Sequence, residues 1–282
     1  RIDGEYIRSD GTTVLGSDDV ARIVSILEAI RIIREKKLKH GDIQVAFTIA
    51  EEGGLVGSKN LDYSRIYAKY GIVLDASGQV GGIAVKAPAQ NIMDIVVEGK
   101  ASHAGIAPEE GINAIVIASE AISSMRLGRI DPETTANIGI IKGGQATNIV
   151  CDRVEIHAEA RSRNPEKLER QTEHMRQCFE NAVAKWNGKL TFKYWNEYPS
   201  FNISPDSEII SILKDAAKLS GLELKLIETG GGSDTNIING KGIEAVCMCI
   251  GMDKVHSTEE QILIEDLVKS ADFLVSVITS VR

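Results

Sequence analysis

Apolar residues recur at helical spacing between residues 20 and 38, at Val20, Ile23, Val24, Leu27, Ile30 and Ile33. This spacing predicts an amphipathic helix. Asp18 and Asp19 stand just before it, where acids complement the free N–H groups of a helix start. Two short apolar runs, residues 43–50 and Gly71-Ile-Val-Leu-Asp75, predict buried strands. Further along, residues 207–220 predict a helix, 223–228 a strand, Ala245-Val-Cys-Met-Cys-Ile250 a buried strand and 262–281 a closing helix. Helices that alternate with apolar strands indicate an α/β layer with a mostly parallel sheet.

The middle of the chain has a different rhythm. Residues 91–99 alternate apolar and polar positions in strand style, and a helix is predicted near 109–126. Strands follow near 134–142 and 151–161, then a long helix at 165–186 and a strand at 189–195. The order β-α-β-β-α-β is the ferredoxin-like pattern. The expected organisation is therefore a larger α/β domain in two parts, 1–89 and 198–282, with an inserted domain at 90–197.

Composition narrows the functional classes. The 282 residues are 43% hydrophobic and 26% charged, as in ordinary globular proteins. A net charge of −8 argues against a nucleic-acid partner. No apolar run reaches the roughly 20 residues of a membrane span. Cys151, Cys178, Cys247 and Cys249 form no CxxC pair, which points to reduced, structural thiols and a cytoplasmic setting.

The candidate chemistry collects at the ends of predicted strands, where open α/β sheets bind ligands. Glu51 and Glu52 end the first apolar run and Asp75 ends the second. His256 lies in the loop after Ile250, and Asp18 and Asp19 open the first helix. Adjacent carboxylates repel one another unless a cation or a shared proton relieves them. Carboxylate oxygens with one or two imidazoles suit zinc, manganese or cobalt. One glutamate of such a pair can hold a metal while its neighbour moves a proton. A solvated acidic loop after a strand is the simpler reading of Glu51-Glu52 alone.

Five ordered segments carry a resemblance: Asp10-Gly-Thr-Thr-Val-Leu-Gly-Ser-Asp-Asp, Ala50-Glu-Glu-Gly-Gly, Ala101-Ser-His-Ala-Gly, Gly143-Gly-Gln-Ala-Thr-Asn-Ile-Val and Val255-His-Ser-Thr-Glu-Glu. Together they resemble peptidase T and its relatives among the co-catalytic zinc exopeptidases, which include glutamate carboxypeptidase, aminoacylase and succinyl-diaminopimelate desuccinylase. The resemblance implies a zinc-exopeptidase-like mixed sheet with helices on both faces, plus a ferredoxin-like lid and dimerisation domain. It implies two divalent ions, with zinc the first choice and cobalt or manganese as alternatives. Asp18 would bridge the ions, Glu52 and His256 would complete one shell, and Asp75 would serve the other. Glu51 would take a proton from the activated water and pass it to the leaving amine.

Further roles follow from the same resemblance. His103 would reach a partner subunit's active site in a homodimer. Asn148, Arg161, Gly231 and Gly232 would contact the substrate, a short peptide. In the family the peptide bond between the two aspartates is often cis, a form that costs about 3–4 kcal/mol and is expected here only if the site holds it. His40, His157 and His174 have no motif context and are expected to be structural. The implied activity is a tripeptide aminopeptidase, with a family amidohydrolase, a dipeptidase or an inactive scaffold as alternatives. A His-x-Asp motif that normally precedes the two aspartates is absent from residues 1–17. The expectation is therefore a missing amino-terminal part and poor activity in this chain.

Overall fold

The computed structural model describes residues 1–281. The chain divides into two compact units, one formed by Arg1–Ala87 with the chain from Phe201 onward, the other by Pro88–Ser200.

The first unit begins with β1 (Ile2–Asp3), β2 (Tyr6–Arg8), α1 (Ser17–Glu35), the short α2 (Val56–Lys59), β3 (Tyr70–Ala76) and β4 (Gly82–Ala87). The second unit contains β5 (Ala89–Glu98), α3 (Ala114–Ser123), β6 (Gly128–Asp131), β7 (Thr134–Gly143), β8 (Arg153–Ser162), α4 (Pro165–Trp186) and β9 (Lys189–Tyr198). The chain then returns to the first unit with β10 (Phe201–Asn202), α5 (Glu208–Leu219), β11 (Lys225–Glu228), α6 (Asp234–Gly240), β12 (Glu244–Cys249), β13 (Met252–Asp253), β14 (Gln261–Leu263) and α7 (Ile264–Ser280).

In the first unit β12 is a central strand, parallel to β3 on one side and antiparallel to β4 on the other. β11 runs parallel to β4, and β10 pairs antiparallel with its end, so the sheet is mixed. Ile72 and Leu74 of β3, Ile83 and Val85 of β4, and Val246 and Met248 of β12 join one core with Ile209, Ile210 and Leu213 of α5 and Phe273, Leu274 and Val277 of α7. On the other face α6 packs against β12 and β3.

A second, four-stranded sheet was not evident in the sequence. Its order is β1-β2-β14-β13, and every pairing is antiparallel. Its strands are two or three residues long, too short for a periodic signal. The register Arg8↔Gln261 brings the loop that enters α1 beside the loop that joins β13 to β14.

Two sequence expectations fail in this unit. The segment 43–50 forms no strand, and Val45, Phe47 and Ile49 are exposed. A strand needs hydrogen-bonded neighbours, and no described strand pairs with the edge of β3 that faces away from β12. A cavity of ≈ 650 Å³ separates this segment from Ile72 and Leu74 of β3. The Gln44 side chain instead ties the segment to the loop at 65–68, donating to the Arg65 carbonyl (2.9 Å) and accepting from the Tyr67 and Ala68 N–H groups (2.8 and 3.0 Å). The second failure concerns the face of α1. The predicted apolar positions Val20, Val24 and Leu27 are exposed, and the buried stripe is Ala21, Ser25, Ala29 and Ile33. Small residues at i, i+4 and i+8 let α1 lie close to α7, its main helical neighbour.

The second unit is an antiparallel sheet of order β6-β7-β8-β5-β9. Burial alternates along β5 and β8, as one covered face requires. Met93, Ile95 and Val97 of β5 and Val154, Ile156 and Ala158 of β8 pack with Ile117 and Ala121 of α3 and Met175 and Phe179 of α4. Asn113 and Asn164 cap α3 and α4, with Pro165 opening α4. The βαββαβ order stands, with β6 added at one edge.

Candidate metal centre

Three segments of the first unit converge on one point. Asp18 sits at the start of α1, Glu52 in the turn before α2, and His256 in the loop between β13 and β14. One ligand atom from each lies within 4.8 Å of the others. His256 Nε2 is 2.7 Å from Glu52 Oε1 and 3.2 Å from Asp18 Oδ2. Asp18 is nearly buried, while the Glu52 and His256 side chains are exposed.

Local structure explains each position. Glu260, buried at the foot of the His256 loop, accepts from the Gly16 N–H (2.8 Å), the Asp18 N–H (3.1 Å) and the Ser17 hydroxyl. This single carboxylate takes up two free N–H donors at the start of α1 and so holds the backbone from which Asp18 projects. The Asp18–Asp19 peptide bond is cis. His256 has φ 63°, a left-handed conformation uncommon for residues other than glycine and one that clusters at functional sites.

The two glutamates lie in a turn held by the backbone, with the Gly57 N–H donating to the Ile49 carbonyl and the Leu55 N–H to the Glu51 carbonyl. A Cβ at Gly57 would meet Ile49 backbone atoms at 2.4 and 2.6 Å, so only glycine allows this closure.

Glu51 is half-buried beside the centre. Burial pushes its carboxyl up to about 8; the nearby carboxylates of Asp75, Glu52 and Asp234 add to the rise, and Arg22 opposes it. A carboxyl tuned toward neutrality is suited to accept and return a proton.

Asp75, at the end of β3, does not join the triad. It meets Arg22, a residue that drew no attention in the sequence. Arg22 Nη2 is 2.8 Å from Asp75 Oδ1 and 2.7 Å from Asp19 Oδ1, and it also contacts Asp18 Oδ1. The available signal was spacing, because Arg22 lies three and four residues after the two aspartates, one helical turn on. Burial pushes the Asp75 carboxyl above its usual range against the pull of Arg22.

Asp234 was also missed, although its segment was read as a glycine-rich loop. It is buried at the start of α6 and accepts from the Thr48 and Ser58 hydroxyls, joining α6 to both sides of the Glu51-Glu52 turn. Gly231 and Gly232 lie just upstream in the turn after β11. Asp19, Arg22, Glu51, Asp75 and Asp234 share a cavity of ≈ 610 Å³ with Ile23, Phe47 and Ile66. This is the size of an ordinary small-ligand pocket.

The remaining predicted residues belong to the second unit. His103 is exposed, and its Nδ1 accepts from the Gly105 N–H at 3.2 Å. Asn148 is exposed in the loop between β7 and β8, its carbonyl bonded to the Ala104 N–H (2.9 Å). Arg161 lies half-buried on β8 and forms a two-pronged pair with Glu159. His157 pairs with Asp94 across two strands, and His174 accepts from the Arg126 N–H. All four cysteines are unpaired and buried. Among the described residues no helix is long and apolar enough to cross a membrane.

Comparison with known proteins decides the family. Residues 92–187 match the peptidase dimerisation domain of the M20 type. The crystal structure of aminopeptidase PepT from Bacillus cereus ATCC 10987 superposes with a TM-score of 0.91 at 46% identity, covering 99% of this chain and 75% of that one. The chain belongs to the M20 peptidases. A tripeptidase from Staphylococcus aureus gives a TM-score of 0.95 at 42% identity over 99% of this chain and 74% of its own. Protein YqjE of Bacillus subtilis is 46% identical over 98% of this chain and 75% of its own length. Peptidase T of Geobacillus kaustophilus is 27% identical over 96% of this chain and 66% of its own length. A more distant M20 peptidase of B. subtilis, YxeP, is described as dinuclear and shares the fold at a TM-score of 0.69 and 21% identity, with 90% of this chain and 69% of its own covered.

Proposed function

We propose that this M20 chain is a metal-dependent exopeptidase that removes the amino-terminal residue from short peptides, tripeptides above all. The observation that carries the reading is the convergence of Asp18, Glu52 and His256 within 4.8 Å, with Glu51 beside them. Two carboxylates and an imidazole make a donor set that suits zinc and leaves a position open for water or substrate. The likeness to an aminopeptidase and a tripeptidase at over 40% identity supports the substrate class.

In this reading Asp18, Glu52 and His256 hold the ion. When bound, the ion polarises the scissile carbonyl and makes water more acidic. Glu51 accepts the proton of the attacking water and returns it to the leaving amine. Glu260 keeps Asp18 aimed at the ion, and Asp234 holds the turn that carries Glu51 and Glu52. The apolar walls of the adjoining cavity exclude water from a bound side chain. Gly231 and Gly232 contact the substrate. Residues 92–187 form the homodimer surface, from which His103, Asn148 and Arg161 serve the substrate, His103 in the partner subunit's site. The setting is cytoplasmic.

A panel of tripeptides, dipeptides and N-acyl amino acids, assayed with and without chelator, tests this. Tripeptides should be cleaved best, and chelator should abolish turnover. Glu51→Gln should cut kcat by at least about 100-fold, the scale of a lost general base, with metal content unchanged. Preference for N-acyl amino acids would replace the peptidase with a deacylase, and turnover that survives chelation would sink the metal role.

A further inference from the structure

The carboxylate cluster around Asp75 already holds a cation that belongs to the chain. Arg22 projects from the first turns of α1, and one of its terminal nitrogens touches Asp18, Asp19 and Asp75 together. Its side chain is only 13% exposed, so the group is enclosed rather than a surface arginine that happens to find acids. Its Nε is buried without a hydrogen-bond partner, which leaves the terminal nitrogens as the anchor. The resemblance assigns the second ion to this place, between the bridging Asp18 and Asp75. A guanidinium stays charged at any ordinary pH and cannot leave its own chain. A divalent ion entering there would have to displace Arg22 from three carboxylates or sit against its positive charge.

We propose that Arg22 is a built-in substitute for the second metal ion. The chain then holds one divalent ion, at Asp18, Glu52 and His256, next to a fixed organic cation. Asp18 bridges the two, with Oδ2 facing His256 and Oδ1 facing Arg22. Asp75 anchors the arginine and takes no part in holding metal. The inference rests on the metal reading of the triad and adds the number of ions and the reason for it.

Metal stoichiometry, measured without any activity assay, tests it. The chelator-stripped protein is equilibrated at pH 7 with Co²⁺ and with Zn²⁺, and bound metal is counted by dialysis and elemental analysis. One ion per chain is expected at saturation. Asp75→Asn should still bind one. His256→Ala should lose affinity for that ion by at least about tenfold, since even partners behind a metal's ligands are worth that much. Arg22→Gly frees three carboxylates and should bind two ions.

Two ions in the unmodified protein, falling to one in Asp75→Asn, would overturn the substitution by Arg22 and leave the proposed function standing. No bound ion at all would overturn both. Arg22→Gly that folds, judged by circular dichroism, yet stays at one ion would show that Arg22 does not exclude the second metal. If that variant does not fold, Arg22→Gln, which keeps much of the side chain's bulk and removes its charge, carries the same test, and a folded Arg22→Gln that stays at one ion would overturn the proposal.

Discussion

The central strands of residues 88–200, β5 and β8, are each paired along both edges, and their inward residues are covered by α3 and α4. In the first unit a strongly apolar run, 43–50, makes no strand, and α1 presents Val20, Val24 and Leu27 to solvent. The first unit buries a core of its own around β3, β4 and β12, so the contrast lies in these two segments. The difference lies in where the partners come from. In the second unit the inward faces of β5 and β8 are matched by α3 and α4 of the same unit, while Ile115 and Val116 of α3 and Ile140 and Ile141 of β7 stay exposed. In the first, the faces of α1 and of 43–50 have no described partner, and apolarity alone cannot form a strand without a neighbour to bond. The candidate site residues sit beside this less covered region: Glu51 and Glu52 directly follow 43–50, and Asp18 and Arg22 lie on α1.

The sharpest way to break the comparison is to cut equivalent apolar groups from each unit. Phe179, fully buried in the second unit, should cost about 3–5 kcal/mol when changed to alanine. Val24→Ser on α1 should change stability by no more than about 0.5 kcal/mol. Urea unfolding of both variants measures this. A large loss at Val24 would mean that this face of α1 is covered after all, and the contrast between the units would collapse.

A second test asks whether the site is held by polar links rather than by apolar burial. Glu260→Ala leaves the Gly16 and Asp18 N–H groups and the Ser17 hydroxyl without their acceptor. The expected cost is about 1–3 kcal/mol, together with weaker metal binding because Asp18 loses its support. Calorimetry on stripped and metal-loaded protein separates the two effects. Unchanged metal affinity would remove Glu260 from the site.

The smallest expected effect belongs to the well-covered unit. Burial holds the His174 imidazole below its usual range, with Arg126 acting in the same sense. The folded state therefore favours the neutral ring. Its contribution is present above about pH 6.5, the unfolded value, and is lost as pH falls through the lower folded value. Melting of the second unit should drop by a few degrees at most between pH 7.5 and 5.5, and His174→Phe should flatten that slope. An unaltered slope would assign the pH dependence elsewhere.

Much of this molecule was legible in the linear chain. The βαββαβ unit shows in period-2 and period-3.6 patterns and α5 in a helical one, while β3 and β12 show as short continuous apolar runs, the mark of strands buried on both faces. The motifs single out Asp18, Glu52 and His256, and the fold brings them together. Three further residues escaped notice. Glu260 and Asp234 lay inside recognised motifs without a role, since nothing local says which backbone donors a carboxylate will satisfy. Arg22 looked like an ordinary helix cation.

The sequence by itself determined the family, the two-unit composition and the ligand types available for chemistry. Tertiary structure alone decided the rest. The short β2–β14 pairing sets the His256 loop against the start of α1, which no periodicity in strands of three residues could announce. The close approach of α1 to β3 lets an arginine that already meets Asp18 and Asp19 of its own helix reach Asp75 from a distant part of the chain as well. Charge and hydrogen-bond partners are chosen by distance in space, and sequence spacing reports that distance only within a single helix or strand.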